Sequence, residues 1–151
     1  MIRKIRVDHD PVLRAQARVV KEVDEHVRRL LDDMLETMRQ AKGIGLAATQ
    51  IGLLRRVIVA DIGDGALEMV NPVILYREGE AVADEGCLSL PGCRVPVTRA
   101  LRIDVQFLNR DGESVEMTVE NLLARVIQHE VDHLDGVLIK DFQETQVVAV
   151  E

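Results

Sequence analysis

The sequence predicts an α+β fold, and three observations carry that prediction. An amphipathic helical pattern lies near the N-terminus, β-branched and alternating segments fill the middle, and a second helical pattern lies toward the C-terminus. No stretch between them is rich in Ser, Gly or Pro, so no flexible linker is indicated, and 151 residues suit a single domain over 1–151.

The first helix begins at Asp24, a residue type that caps free N–H groups. Val27, Leu30, Leu31, Met34, Leu35 and Met38 follow at helical spacing, and Gly43 is the expected stop. Residues 56–62, RVIVADI, are largely β-branched and bounded by Gly63 and Gly65, which predicts a buried strand. Farther on, Leu101, Ile103, Val105 and Phe107 alternate with polar residues. NRDG then turns the chain into Val115, Met117 and Val119, giving a β-hairpin with one buried face. Residues 121–135 return to the helical period, with Gly136 as their stop.

Between the first helix and the first strand lies GIGLAATQIG, residues 43–52, whose start spells G-x-G-x-x-A. A dinucleotide cradle leaves a strand and opens a helix, whereas this segment runs from a helix into a strand and lacks the Lys-Ser/Thr of a P-loop. The nucleotide reading fails on context. Composition removes further classes. A formal charge of −7 argues against nucleic acid as the main ligand. MIRKIRVDHD lacks the apolar core of a signal peptide, and no apolar run approaches the roughly 20 residues of a membrane helix, so a cytoplasmic location is expected. Cys87 and Cys93 are too few for a disulfide scaffold and read as reduced thiols, available for ligation or nucleophilic attack.

The chemistry concentrates on the last helix. Leu122, Val126, His129 and His133 form one stripe, and Leu123, Ile127, Glu130 and Leu134 form a second beside it. Arg125, Gln128, Asp132 and Asp135 occupy the opposite polar face. His129 and His133, one turn apart in HEVDH, can direct imidazole nitrogens at one ion, with Glu130 beside them as a base. The alternative is two hydrogen-bonded, inert histidines. A catalytic site of this kind needs a third ligand. The metzincin pattern would place a histidine at Ile139, and a downstream glutamate has only Glu144 and Glu151 to offer. His9 and His26 have no motif around them, so Cys87 is the better candidate.

Cys87 lies in EGCLS (85–89). Together with GIGLAATQ (43–50) and QHEVDHLDG (128–136), it resembles, in order and approximate spacing, the three signature motifs of peptide deformylases. The likeness runs from DPVLR at 10–14 through KDF at 140–142. It implies antiparallel β-sheets packed around a central C-terminal helix that carries the motif. It also implies that Cys87, His129 and His133 bind one divalent ion, with Fe2+ favoured and Zn2+, Ni2+ or Co2+ able to occupy the site. By the same resemblance Glu130 is the general acid/base, and Gln50 and the Leu88 N–H stabilise the oxyanion. A water in the open coordination position is the nucleophile, and the reaction is release of formate from N-terminal formylmethionine. Ile44, Leu122 and Val126 are candidates for the methionine pocket, and backbone at Ile44 and Gly45 for pairing with the extended peptide. Glu85 and Asp132 are candidates for orienting the ligands, Arg99 for an ionic partner and Cys93 for a spectator thiol. The partners implied are formyl-methionyl peptides or nascent chains and, transiently, the ribosome. Some members dock there by a basic C-terminal helix. Here Phe142 is followed by QETQVVAVE, in which QVVAV reads as a last strand. The rival readings are another H-E-x-x-H hydrolase with a different third ligand and a non-catalytic formyl-peptide or metal-binding module that kept the scaffold.

Overall fold

The computed structural model describes residues 1–143, so the strand expected over QVVAV lies outside the described residues. Helix α1 spans Glu25–Gln40, and its Asp24 cap accepts the Val27 N–H at 3.0 Å. Strand β1 is Gly45–Ala47, β2 Val57–Ala60, β3 Leu67–Glu78, β4 Ala81–Cys87, β5 Leu90–Arg99, β6 Arg102–Leu108 and β7 Ser114–Glu120, followed by helix α2 at Asn121–Leu134. Five strands form one antiparallel sheet in the order β1-β2-β3-β6-β7, and β4 with β5 forms a separate hairpin. The fold is therefore α+β with antiparallel sheets, as the sequence predicts.

Strand periodicity explains why the sheet needs a helix on each face. Val57 and Val59 point into a cluster with Leu30, Leu31, Met34 and Met38 of α1, while Ile58 between them joins Ala124, Ile127 and Leu134 of α2. Leu46 and Ala47 of β1 divide in the same way. Each such fully buried aliphatic side chain contributes about 1.5–3 kcal/mol. A third cluster, built on Leu13, Leu90, Val95, Val97, Leu138 and Ile139, ties the β4–β5 hairpin to both ends of the described chain. Bidentate contacts of Arg14 with Asp141, both at 2.8 Å, join the same two ends. Among the described residues no helix is long and apolar enough to cross a membrane.

Three expectations need correction. The left-handed residue that ends α1 is Lys42 (φ 59°), one position before Gly43. Its N–H bonds the Arg39 carbonyl at 3.1 Å and the Gly43 N–H bonds Met38 at 2.9 Å, the paired bonds of a Schellman cap. Second, GIGLAATQ is only partly a loop: residues 45–47 form the edge strand β1, and Ala48–Ile51 make a 3-10 turn. Third, the polar face of α2 is not a solvent face. Gln128 is buried, accepting the Ala100 N–H and donating to the Ala100 carbonyl, and Arg125 donates to the carbonyls of Ala81 and Val97. The β4–β5 hairpin and the segment into β6 cover that face, which makes α2 central.

Candidate metal centre and active site

Two elements deliver three donors to one point. Cys87 ends β4, immediately before the Leu88-Ser89 turn, and α2 presents His129 and His133 one turn apart. Cys87 Sγ lies 3.2 Å from His133 Nε2, which lies 3.3 Å from His129 Nε2, and all three donor atoms fall within 4.8 Å of one another. Tetrahedral coordination with metal–nitrogen bonds of about 2.0–2.1 Å separates two nitrogens by about 3.3–3.4 Å, so the spacing fits one ion. His9 and His26 take no part in this cluster.

The orientation of His129 is fixed from behind. Its Nδ1 lies 2.8 Å from Glu85 Oε1, which leaves Nε2 for the cluster. Arg99 grips Glu85 through two hydrogen bonds of 3.0 and 2.9 Å, and Arg125 adds a third at 2.6 Å. Arg99 also pairs with Asp132, and its guanidinium lies 5.1 Å from the centre of the Phe142 ring. Burial alone would raise the Glu85 carboxyl, but bonds and charge from His129 and Arg99 hold it down to about 2. Burial likewise works against a proton on His129, yet the Glu130 charge, Cys87 and Glu85 raise it to about 10. Burial and the charge on His129 keep His133 neutral. A donor nitrogen must be free of its proton to bind an ion, so metal binding at this cluster is coupled to proton release.

Gln50 and Glu130 complete the centre. Gln50 Oε1 accepts the Ala47 N–H at 2.9 Å, which turns Nε2 toward Ser89 Oγ at 3.1 Å and Cys87 Sγ at 3.7 Å. Glu130 is buried, and burial pushes its carboxyl up to about 7 despite the lowering influence of His129 and Arg99. Among the described residues its Oε1 has no hydrogen-bond partner. Residue 45 must be glycine for this packing: a β-carbon there would lie 2.5 Å from Glu130 Oε2 and 2.7 Å from Val126 Cγ1.

One cavity of about 540 Å³ gathers Ile44, Gly45, Gln50, Cys87, Leu88, Leu122, Val126, His129 and Glu130, with His133 buried at its back. The structure thus brings together every residue singled out from the sequence for this site. Leu122 is the one that sits differently from its helical stripe. It is 50% exposed at the cavity rim, and Ile44 is 44% exposed. Cys93 packs beside the third core cluster and is absent from the donor set. Sequence reasoning missed Lys42, Asp84, Gly86, Arg94 and Arg125, which also line the cavity. Their signal was weak, since isolated charges ordinarily read as solvent-facing.

The chain matches the polypeptide deformylase family over residues 2–147. It belongs to that family. It is 50% identical over 140 residues to the peptide deformylase of Caldanaerobacter subterraneus, a match covering 93% of this chain and 88% of the relative. The crystal structure of the Thermotoga maritima peptide deformylase superposes with a TM-score of 0.91 at 46% identity, over 93% of this chain and 97% of that one. A class I type b peptide deformylase from Acinetobacter baumannii, crystallised with Met-Ala-Ser bound, gives 0.88 at 32% identity over 93% and 98%. Deformylases are metal-dependent enzymes that remove the formyl group from new peptides, and the Cys87, His129 and His133 cluster is a ligand set suited to such an ion.

Glu85→Gln tests how a deformylase of this chain's geometry steadies its ligand. Loss of the negative charge behind His129 should lower metal affinity by about 10- to 100-fold, measured by competition with a chromogenic chelator. Unchanged affinity would mean that Glu85 serves the fold alone.

Proposed function

We propose that this chain hydrolyses the N-formyl group of formyl-methionyl peptides with one divalent ion held by Cys87, His129 and His133. A thiolate and two imidazoles suit a borderline ion, ferrous iron in the cell, with zinc, nickel or cobalt accepted by the same donors. When bound, the ion would polarise the formyl carbonyl and make a coordinated water more acidic.

The observation that carries the reading is Glu130 Oε1, buried and unpartnered in a cavity whose wall also holds the donor cluster. A carboxylate there takes a proton from water and delivers it to the departing amine. Gln50 Nε2, held by the Ala47 bond to its other end, and the Leu88 N–H donate to the oxyanion as it forms. Val126 with the rim side chains Ile44 and Leu122 receives the methionine side chain, and exposure of two aliphatic groups at a cavity mouth suits that role. Beyond methionine, backbone around Ile44 and Gly45 pairs with the peptide as an added strand, since β1 is an edge of the sheet. The whole of 1–151 acts as one catalytic domain on nascent chains in the cytoplasm, meeting the ribosome transiently.

The direct test is formate release from formyl-Met-Ala-Ser by protein loaded anaerobically with ferrous iron or with nickel. Formate should appear, stop on chelation and return with the ion. No formate from fully loaded protein would end this reading.

A further inference from the structure

The rim of the cavity carries a charge pattern that formyl hydrolysis does not require. Its exposed lining includes Lys42, Asp84 and Arg94. Deeper carboxylates are otherwise engaged or enclosed: Glu85 is held by Arg99, Arg125 and His129, and Glu130 is buried. Two rim cations thus face one rim carboxylate, on a chain whose net charge is −7.

Each cation is also held in an unusual way. Lys42 occupies the left-handed cap position of α1 at φ 59°, where glycine is the ordinary residue and a side chain costs roughly 1 kcal/mol. Arg94 lies along β4 over Gly86, one residue before Cys87: its Nη1 is 3.1 Å from where a β-carbon of Gly86 would stand. Its Nη2 donates to the Asp84 carbonyl at 3.4 Å, a neutral partner, and among the described residues no carboxylate forms an ion pair with it. Lysine beside a helix C-terminus gains a little from the helix dipole, and that alone would make its position structural.

We infer that Lys42 and Arg94 make this site favour formylated chains with a carboxylate at the second or third residue over chains with a cation there. The inference rests on the deformylase reading above and adds the class of nascent chain that is processed fastest. An extended peptide advances about 3.3 Å per residue, so the residues after methionine leave the centre through this rim. Surface charge pairs are weak and screened, so the preference is modest and lost in salt.

The test compares kcat/KM for formyl-Met-Ala-Xaa and formyl-Met-Xaa-Ala amides, with Xaa as Asp, Asn or Lys, using metal-loaded full-length protein. In low salt Asp should exceed Lys by about threefold to tenfold, and about 1 M salt should bring the ratio close to one. Lys42→Gly and Arg94→Gln should each lower the ratio. Lys42→Gly should also keep or raise Tm, because glycine relieves the left-handed backbone. A purely structural lysine would move Tm and leave the ratio alone, which would overturn the inference for Lys42. A wild-type ratio near one with the Asn peptides turned over overturns it altogether. Failure to release formate from the Asn peptides would instead strike the deformylase reading on which it stands.

Discussion

Glu130→Gln should lower kcat by about two to four powers of ten while the protein keeps its full complement of metal. Glutamine matches the shape of the buried carboxylate but cannot accept a proton from water and return it to the amine. The donor cluster of Cys87, His129 and His133 does not include residue 130, so ligation survives. The wild-type pH profile should identify the same group. Burial raises the carboxyl to about 7, and only the ionised form is a base, so kcat/KM should climb with pH along an acid limb. A bound cation nearby favours the ionised form, placing the limb of the loaded enzyme below pH 7. The variant should lack that limb.

The same substitution has a stability signature of opposite sign. The folded pKa of Glu130, about 7, stands above its ordinary value of 4.5, so between these values the folded state holds a proton that the unfolded state releases. The carboxylate therefore costs nothing below pH 4.5, and its cost grows as pH rises, reaching up to about 3 kcal/mol above pH 7. Metal-free Glu130→Gln should melt higher than metal-free wild type at pH 8 and equally at pH 4. A variant that loses rate and gains stability is the expected mark of a group kept for chemistry. Equal rates in wild type and variant would remove Glu130 from the mechanism.

Much of the candidate centre was legible in the sequence. The spacing of HEVDH places two candidate donors and a candidate base on one helix, and the family resemblance of EGCLS and GIGLAATQ pointed to Cys87, Leu88 and Gln50. What stayed illegible has physical causes. Strand β3 contains Asn71-Pro72, ordinarily a turn signal, yet the chain passes through it with Asn71 at φ 52° and the ladder to β6 shifts register between Val70 and Val73. The β4–β5 hairpin carries Gly86, Pro91, Gly92 and Pro96, and its register shift at Cys87 breaks any two-residue alternation. Arg125 and Gln128 read as a solvent face because polar side chains usually are one. Here the hairpin and the segment into β6 cover them, and buried carbonyls with Glu85 satisfy their donors.

Cys87→Ser should remove stoichiometric metal, whereas Cys93→Ser should not. As a metal ligand Cys87 would supply the one anionic donor of the set, and its Sγ sits 3.2 Å from His133 Nε2 and 3.7 Å from Gln50 Nε2. A serine hydroxyl reaches less far and does not ionise near neutral pH, so two imidazoles would remain to hold the ion. Protons compete with the ion for the same donor atoms. Apparent affinity should therefore fall about tenfold for each proton displaced per pH unit of acidification, leaving the serine variant empty first as pH drops. Cys93→Ser provides the control. That thiol lies on β5, packed against the third core cluster and outside the donor cluster, so the variant should retain one ion per chain. Metal analysis of both variants after gel filtration, with a thermal melt to confirm folding, decides the matter. A full ion in Cys87→Ser, or its loss from Cys93→Ser alone, would show that the third ligand is not the one the geometry indicates.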